Sequence, residues 1–257
     1  MPNHVRNRLI LKGDQSQINE IAERYKLDDD IVGSLDFNKI IPMPKELDIT
    51  SGSDETTCIP LYLKAVCPIT PPIDNLDIEK FDTETYKAVL ERLQVNDFFN
   101  NYEISKIMER NLDIDNIQDL LDKGRKYVDN VRKYGYTTWY DWRIANWGSK
   151  WNAYHCEPFA NNTFVWETAW SNVTPIIEKL SAMYPDITFE YAWADEDFGS
   201  NVGKEIIRCG KIEDMDIPSG GTKEAFEMAA EIREESCAEY GYYYDETTDT
   251  YVYRDED

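Results

Sequence analysis

The chain has 257 residues, 42% of them hydrophobic and 13% aromatic, which is enough to bury a sizeable core and excludes global disorder. Fifty acidic residues against 27 basic ones leave a formal net charge of −23. A phosphate backbone is repelled by such a chain, which argues against a general nucleic-acid binder.

No run approaches the roughly 18 consecutive apolar residues of a membrane span. Met1-Pro2-Asn3-His4-Val5-Arg6 has no apolar signal core behind a basic start, so a cytosolic protein is expected. The cysteines (Cys58, Cys67, Cys156, Cys209, Cys237) are odd in number, widely spaced and never in a CxxC pair, as reduced thiols are. The histidines are His4 and His155, without zinc-ligand spacing. P-loop, GxSxG, HExxH and dinucleotide fingerprints are missing, so no cofactor and no metal are expected.

In chain order, residues 4–12 alternate and read as a strand ended by Gly13. Asp14 caps a helix through about Lys26, with Ile18, Ile21, Ala22 and Tyr25 on one face. Residues 36–43 read as a second strand stopped by Pro42 and Pro44, and 45–57 as loop. A short apolar run around Leu61–Val66 is closed by Pro68, Pro71 and Pro72. From Thr83 to Tyr134 the period turns helical: Tyr86, Val89, Leu90 and Leu93 form one stripe, and Phe98, Tyr102, Ile104 and Ile107 a second. Ile117, Leu120, Leu121, Tyr127, Val128 and Val131 form the third.

Trp139, Trp142, Trp147 and Trp151 then crowd a short helix, which Thr138 or Asp141 caps and Gly148 ends. Residues 154–169 read as a hairpin with Asn161-Asn162 at the turn. Residues 173–184 form a helix with Pro175 in its first turn. Ile187–Trp193 is an alternating strand and Lys204–Ile212 another. Thr222 caps a helix to about Glu239, and Tyr240–Tyr253 is a tyrosine-rich hairpin.

The opening Met1-Pro2-Asn3-His4-Val5-Arg6-Asn7 and the central Tyr140-Asp141-Trp142-Arg143-Ile144-Ala145-Asn146-Trp147-Gly148-Ser149-Lys150-Trp151-Asn152-Ala153 resemble the YubB-like ferredoxin-like family. Phe164–Ser171 and Tyr184–Phe189 also match its pattern. That family is carried by bacteriophages, plasmids and other mobile elements. The resemblance covers about 1–45 and 135–212 and implies an α+β fold: a ferredoxin-like split βαβ core, interrupted by a helical insert. It brings no active site with it. The division expected is 1–45, first half of the core; 46–135, loop and helical insert; 136–212, tryptophan helix and second half; 213–257, an acidic, tyrosine-rich helix-plus-hairpin extension.

That last segment holds 15 of the acids and three of the cations, about half the net charge in under a fifth of the chain. Glu224, Glu227, Glu231 and Glu235 share a helical face and repel one another mildly. Tyr240, Tyr242, Tyr244, Tyr251 and Tyr253, with Asp245, Glu246 and Asp249, add aromatic area beside carboxylates. This combination suits a protein-binding surface, in which rings anchor and acids pair with Arg and Lys. The structural alternative is a solvated face with cross-strand tyrosine pairs.

The leading expectation is therefore a non-enzymatic phage or mobile-element protein. It would bind and inhibit a host nucleic-acid-binding defence protein, such as a CRISPR effector or restriction nuclease, through this surface. A second is a nucleotide- or signal-binding module using Trp139, Trp142, Arg143, Trp147, Lys150 and Trp151 as a stacking platform, against a packing role for the same indoles. A third is a metal-dependent enzyme on nucleic acid through Asp195 and Asp197, weighed against an ordinary acidic loop. A fourth is a single-strand binder with a basic patch of Arg6, Arg8, Lys12 and Lys39. His155-Cys156 does not form a dyad, since neighbours on a strand point to opposite faces; His4 reaches it only through the fold.

Overall fold

The computed structural model describes residues 2–66 and 114–254. In chain order the elements are β1 (His4–Lys12), α1 (Gln15–Arg24), α2 (Phe37–Ile40), α3 (Ser53–Val66), α4 (Ile114–Tyr134), α5 (Trp139–Trp147), β2 (Thr163–Ala169), α6 (Thr174–Met183), β3 (Thr188–Asp195), β4 (Val202–Arg208), β5 (Lys211–Asp216), α7 (Lys223–Arg233), β6 (Tyr242–Asp245) and β7 (Thr250–Tyr253). They form two compact units: Met1–Pro42 with Arg143–Asp257, and Met43–Trp142. The division falls inside α5.

The first unit is built on an antiparallel sheet of order β2-β1-β3-β4-β5. β2 and β3 are joined through α6 and flank β1, which makes a split βαβ crossover. Along β1 the residues alternate: Val5, Asn7, Leu9 and Leu11 are buried, while His4, Arg6, Arg8 and Ile10 are less so. The first set shares its face with Phe164, Trp166, Phe189 and Tyr191, over which α6 lays Ile176, Ile177 and Leu180. Asp14 caps α1 as expected, accepting from the Ser16 and Gln17 N–H groups at 3.0 Å.

A polar chain runs through this apolar layer. The Val173 N–H donates to the Tyr191 hydroxyl (2.8 Å), which donates to Asn7 Oδ1 (2.6 Å). Asn7 Nδ2 donates to Thr168 Oγ1 (2.9 Å), and Thr168 donates to the Ser171 carbonyl (2.6 Å). Each of these buried groups is paired, so the chain ties three strands to the start of α6 without an orphaned dipole.

In the first unit, four elements differ from expectation. Residues 36–43 hold no strand. Asp36 caps the helical turn α2, and Asn152 clamps it: its Oδ1 accepts from the Phe37 N–H (2.8 Å) and its Nδ2 donates to Asp36 (2.7 Å). Phe37 and Ile40 are thereby buried, Phe37 edge-on to Trp147. The stretch 154–160 instead follows the outer edge of β2, through Tyr154–Glu167 and Glu157–Val165 backbone bonds. The Asn161-Asn162 turn is as read, both residues having positive φ, but the arm before it is only bridged. The single strand expected over 204–212 is two strands, β4 and β5, turned by Cys209 and Gly210 at φ +50° and +75°. The helix from Thr222 stops at Arg233, where Glu234 turns left-handed; a 3₁₀ turn covers Cys237–Tyr240.

The C-terminal segment is part of this unit's core. α7 turns Ala225, Phe226, Met228, Ala229 and Ile232 onto the second face of the sheet, against Ala192, Ala194, Phe198 and Val202. The β6–β7 hairpin pairs Tyr242 with Tyr253 and Tyr244 with Tyr251.

In the second unit, the 45–57 stretch read as loop contains a 3₁₀ turn, Lys45–Leu47, and the start of α3. The short apolar run at 61–66 belongs to α3. α4 carries the third expected stripe, and Tyr127, Val128 and Val131 pack with Cys58, Ile59 and Leu63 of α3. Tyr127 donates to the Thr50 carbonyl (2.7 Å), and Asn130 to those of Glu46 and Thr137. Cys67, the three prolines from Pro68 and the first two stripes lie outside the described residues.

Candidate interaction surface

The acidic helix does not present four free glutamates. Glu224 and Glu227 are exposed, Glu227 lying 3.9 Å from Lys223. Glu231 is taken by the sheet: Arg8 reaches it at 3.0 Å and Lys204 at 2.5 Å. These bonds, Lys204 first and Arg8 with it, hold the Glu231 carboxyl below its ordinary range. Glu235 accepts from Arg233 Nε (2.7 Å) and the Tyr240 hydroxyl (2.6 Å).

The tyrosines are divided in the same way. Tyr240 stacks on Phe198 at 4.6 Å between ring centres, and Tyr242 and Tyr251 lie against Phe226 at 4.8 and 5.2 Å. Only Tyr244 and Tyr253 of the five candidates are exposed; Tyr244 donates to Asp249 (2.6 Å). Asp245 is occupied by the Thr247 N–H and hydroxyl, while Glu246 is exposed. Helical spacing extends to Glu224, Glu227 and Glu231 only, because the helix ends at Arg233 and the left-handed Glu234 takes Glu235 off its face; whether a partner already sat on a glutamate was a matter of tertiary contact.

The tryptophan motif separates too. Trp147 is buried and donates through Nε1 to the Ile41 carbonyl (2.8 Å); the Arg143 guanidinium lies 4.9 Å from its ring. Trp142 is buried, and Trp139 meets Tyr140 in the first turn of α5. Gly148 ends the helix at φ +88°; a Cβ there would stand 2.7 Å from the Asn172 carbonyl. The platform is thus not assembled by the motif itself. Lys150 lies between Trp151 and a tryptophan outside the motif, Trp170, at 4.0 and 3.7 Å from their ring centres, and both indoles are exposed.

The remaining candidates are accounted for. Asp195 accepts from Asn3, Asn201 and the Asp197 N–H, so its carboxylate organises its own loop. Among the described residues no group of three His, Cys, Asp or Glu is placed to hold a metal ion. Arg6, Arg8, Lys12 and Lys39 each face an acid (Glu157, Glu231, Glu190 and Asp28), which neutralises the proposed basic patch. His155 bonds Glu167 (2.7 Å) at a left-handed φ of +48°, and His4 bonds the Tyr154 hydroxyl (2.8 Å). Cys156 takes no part: burial pushes its thiol up to about 11, away from the nucleophilic thiolate.

The feature that residue reading missed is β5. Among the described residues it pairs with β4 alone and forms the edge of the sheet, and all six of its residues are exposed. Register puts Asp214 and Asp216 opposite Ile206 and Lys204, on the α7 side. Ile212 and Met215 lie opposite Ile207 and Glu205, on the α6 side. Ile212, Met215 and, just beyond, Ile217 are 38%, 65% and 54% exposed. On the α7 side a groove of about 370 Å³ opens next to the strand, with Glu190, Asp214, Asp216 and Glu231 around Arg8 and Lys204. The Cys209-Gly210 pair between two alternating runs was the sequence feature that marks this hairpin.

This arrangement defines an α+β protein with a ferredoxin-like domain. Residues 150–251 match a family model described as the ferredoxin-like domain in Api92-like protein. The match takes in α7 and most of the hairpin, which the YubB-like resemblance left outside, and supports its ferredoxin-like part. Among solved structures, the crystal structure of a protein api92 from Yersinia pseudotuberculosis is similar over 86% of this chain and 99% of that chain, at 11% identity and a TM-score of 0.39. No curated protein matches the chain. Among the described residues no helix is long and apolar enough to cross a membrane.

Proposed function

We propose that the chain is a non-enzymatic interaction protein that docks on the basic, nucleic-acid-binding surface of a partner protein. In a phage or other mobile element that partner would be a host defence nuclease, which the chain would inhibit by standing in for phosphate. The observation that carries this reading is β5: exposed apolar side chains interleaved with Glu213, Asp214 and Asp216 on an open sheet edge. Exposed apolar groups ringed by polar ones are the mark of a protein-binding patch, and the carboxylates select a cationic partner. Glu224 and Glu227 of α7 and the exposed Glu246 extend the negative potential. The site thereby shifts from the face of the acidic helix to the neighbouring strand. The resemblance of the tryptophan motif to proteins of mobile elements fits the setting.

The test compares wild type with Glu213→Gln/Asp214→Asn/Asp216→Asn as bait in a bacterial lysate. Nucleic-acid-binding proteins should be retained by wild type at low salt, released by added salt and absent from the variant. Retention of the same proteins by the variant overturns the reading.

A second reading rests on Lys150 between the exposed Trp151 and Trp170: a small planar ligand stacking there. A thermal-shift screen with nucleotides checks it, since a ligand selective for the native state raises Tm.

A further inference from the structure

The proposed function leaves open how a partner engages the surface, and the backbone of β5 answers it. We infer that β5 accepts an added strand: an extended segment of the partner, alternating basic and apolar side chains, pairs along its outer edge. This rests on the reading that the β5 surface is the docking site, and goes beyond it by naming the partner's conformation and residue pattern.

The main-chain observation is independent of charge. Among the described residues no strand pairs with the outer side of β5. Its Met215 N–H turns to the neighbouring Asp214 Oδ1 at 3.0 Å, a local bond that an incoming carbonyl can replace. Proteins commonly blunt a free edge with proline, charge or a bulge, or cover it. Here a register shift at Glu213, between the Ile207–Ile212 and Ile206–Asp214 pairs, puts Ile212 and Asp214 on opposite faces. Pro218 follows the strand, outside it, and the six residues before Ile217 keep every backbone N–H.

Charge and register then select the occupant. A strand laid beside β5 places alternate side chains on the two faces of the sheet. Those on the α7 side come opposite Asp214 and Asp216 and next to the groove, which calls for Lys or Arg. Those on the α6 side meet Ile212 and Met215, which calls for apolar residues. A second copy of β5 fails this requirement, since it would bring Glu213, Asp214 and Asp216 against their own kind. The acids thus serve two ends: they disfavour edge-to-edge self-association and admit a cationic strand.

Two peptides of identical composition separate strand addition from simple charge attraction. One alternates lysine and valine; the other carries the lysines in one block and the valines in another. The full chain should bind the alternating peptide at least about tenfold more tightly. Amide exchange within 211–217 should slow only in that complex. Met215→Pro, which removes one edge donor and leaves every carboxylate, should weaken the alternating peptide and spare the block peptide.

Equal, salt-sensitive binding of both peptides with unchanged exchange over 211–217 overturns strand addition and leaves the acidic docking surface standing. Failure of both peptides to bind overturns the two together. The exchange measurement uses the unmodified protein, so the outcome does not depend on how well the proline variant folds.

Discussion

Tyr191 carries its hydroxyl into an apolar layer and is fully enclosed, yet accepts from Val173 N–H and donates to Asn7. Tyr191→Phe keeps the ring and removes both bonds, leaving Asn7 Oδ1 and the Val173 N–H unpaired. Urea unfolding should show a loss of about 1–3 kcal/mol. Glu205 poses the opposite problem. It is nearly buried on the α6 face, and that burial raises its carboxyl above the ordinary value, with the Thr174 hydroxyl (2.8 Å) working against the rise. A carboxyl raised by folding binds its proton more tightly in the native state. Its contribution to stability is therefore full in acid and is lost as pH climbs from the unfolded value through the folded one. Glu205→Gln should match or exceed wild-type stability near pH 7 and lose that advantage towards about pH 4, as denaturant midpoints across the range will show. Glu231 has the reverse sign, its carboxyl being lowered, but its exposure to solvent limits its effect to a few tenths of a kcal/mol.

α7 was legible as an amphipathic helix, with Thr222 as its cap, and its apolar stripe does lie on the sheet. The element's role changes once its partners are known. Phe226 sits among Phe198, Tyr242 and Tyr251, so it joins sheet, helix and hairpin in one cluster. Phe226→Ala should cost about 3–5 kcal/mol, read from the denaturation midpoint. Removing residues 213–257 to test their acidity would strip cover from Ala192, Ala194 and Val202, so a lost activity would report unfolding rather than lost charge. Neutralising exposed carboxylates one strand at a time avoids this. The strand expected at 36–43 fails for a local reason: Asp36 favours a capped turn, and Asn152, far along the chain, secures it.

For the whole molecule, a net charge of −23 is a long-range property that any cationic partner senses before contact. Association of the proposed complex should be fast at low ionic strength and slow sharply as the Debye length contracts from about 30 Å at 0.01 M to about 8 Å at 0.15 M. Dissociation, governed by the buried strand contacts, should change far less. Stopped-flow measurement over that range checks both; a salt dependence confined to dissociation would contradict steering by the acidic surface.

Composition, alternation and capping residues by themselves determined the acidity, the mix of helices and strands, the sheet strands around His4–Lys12 and Thr188–Asp195, and the helices begun by Asp14 and Thr222. These follow from short-range physics: burial periodicity and the pairing of nearby backbone groups. The ferredoxin-like α+β arrangement came from the family resemblance. Only the tertiary structure decided which charges remain available. Glu231 and Arg8 are 223 residues apart in the chain and cancel through a contact that no spacing rule reports. It likewise decided that Lys211–Asp216 is an edge among the described residues, because an edge is defined by the neighbour a strand lacks, and that is settled by how the whole sheet is ordered.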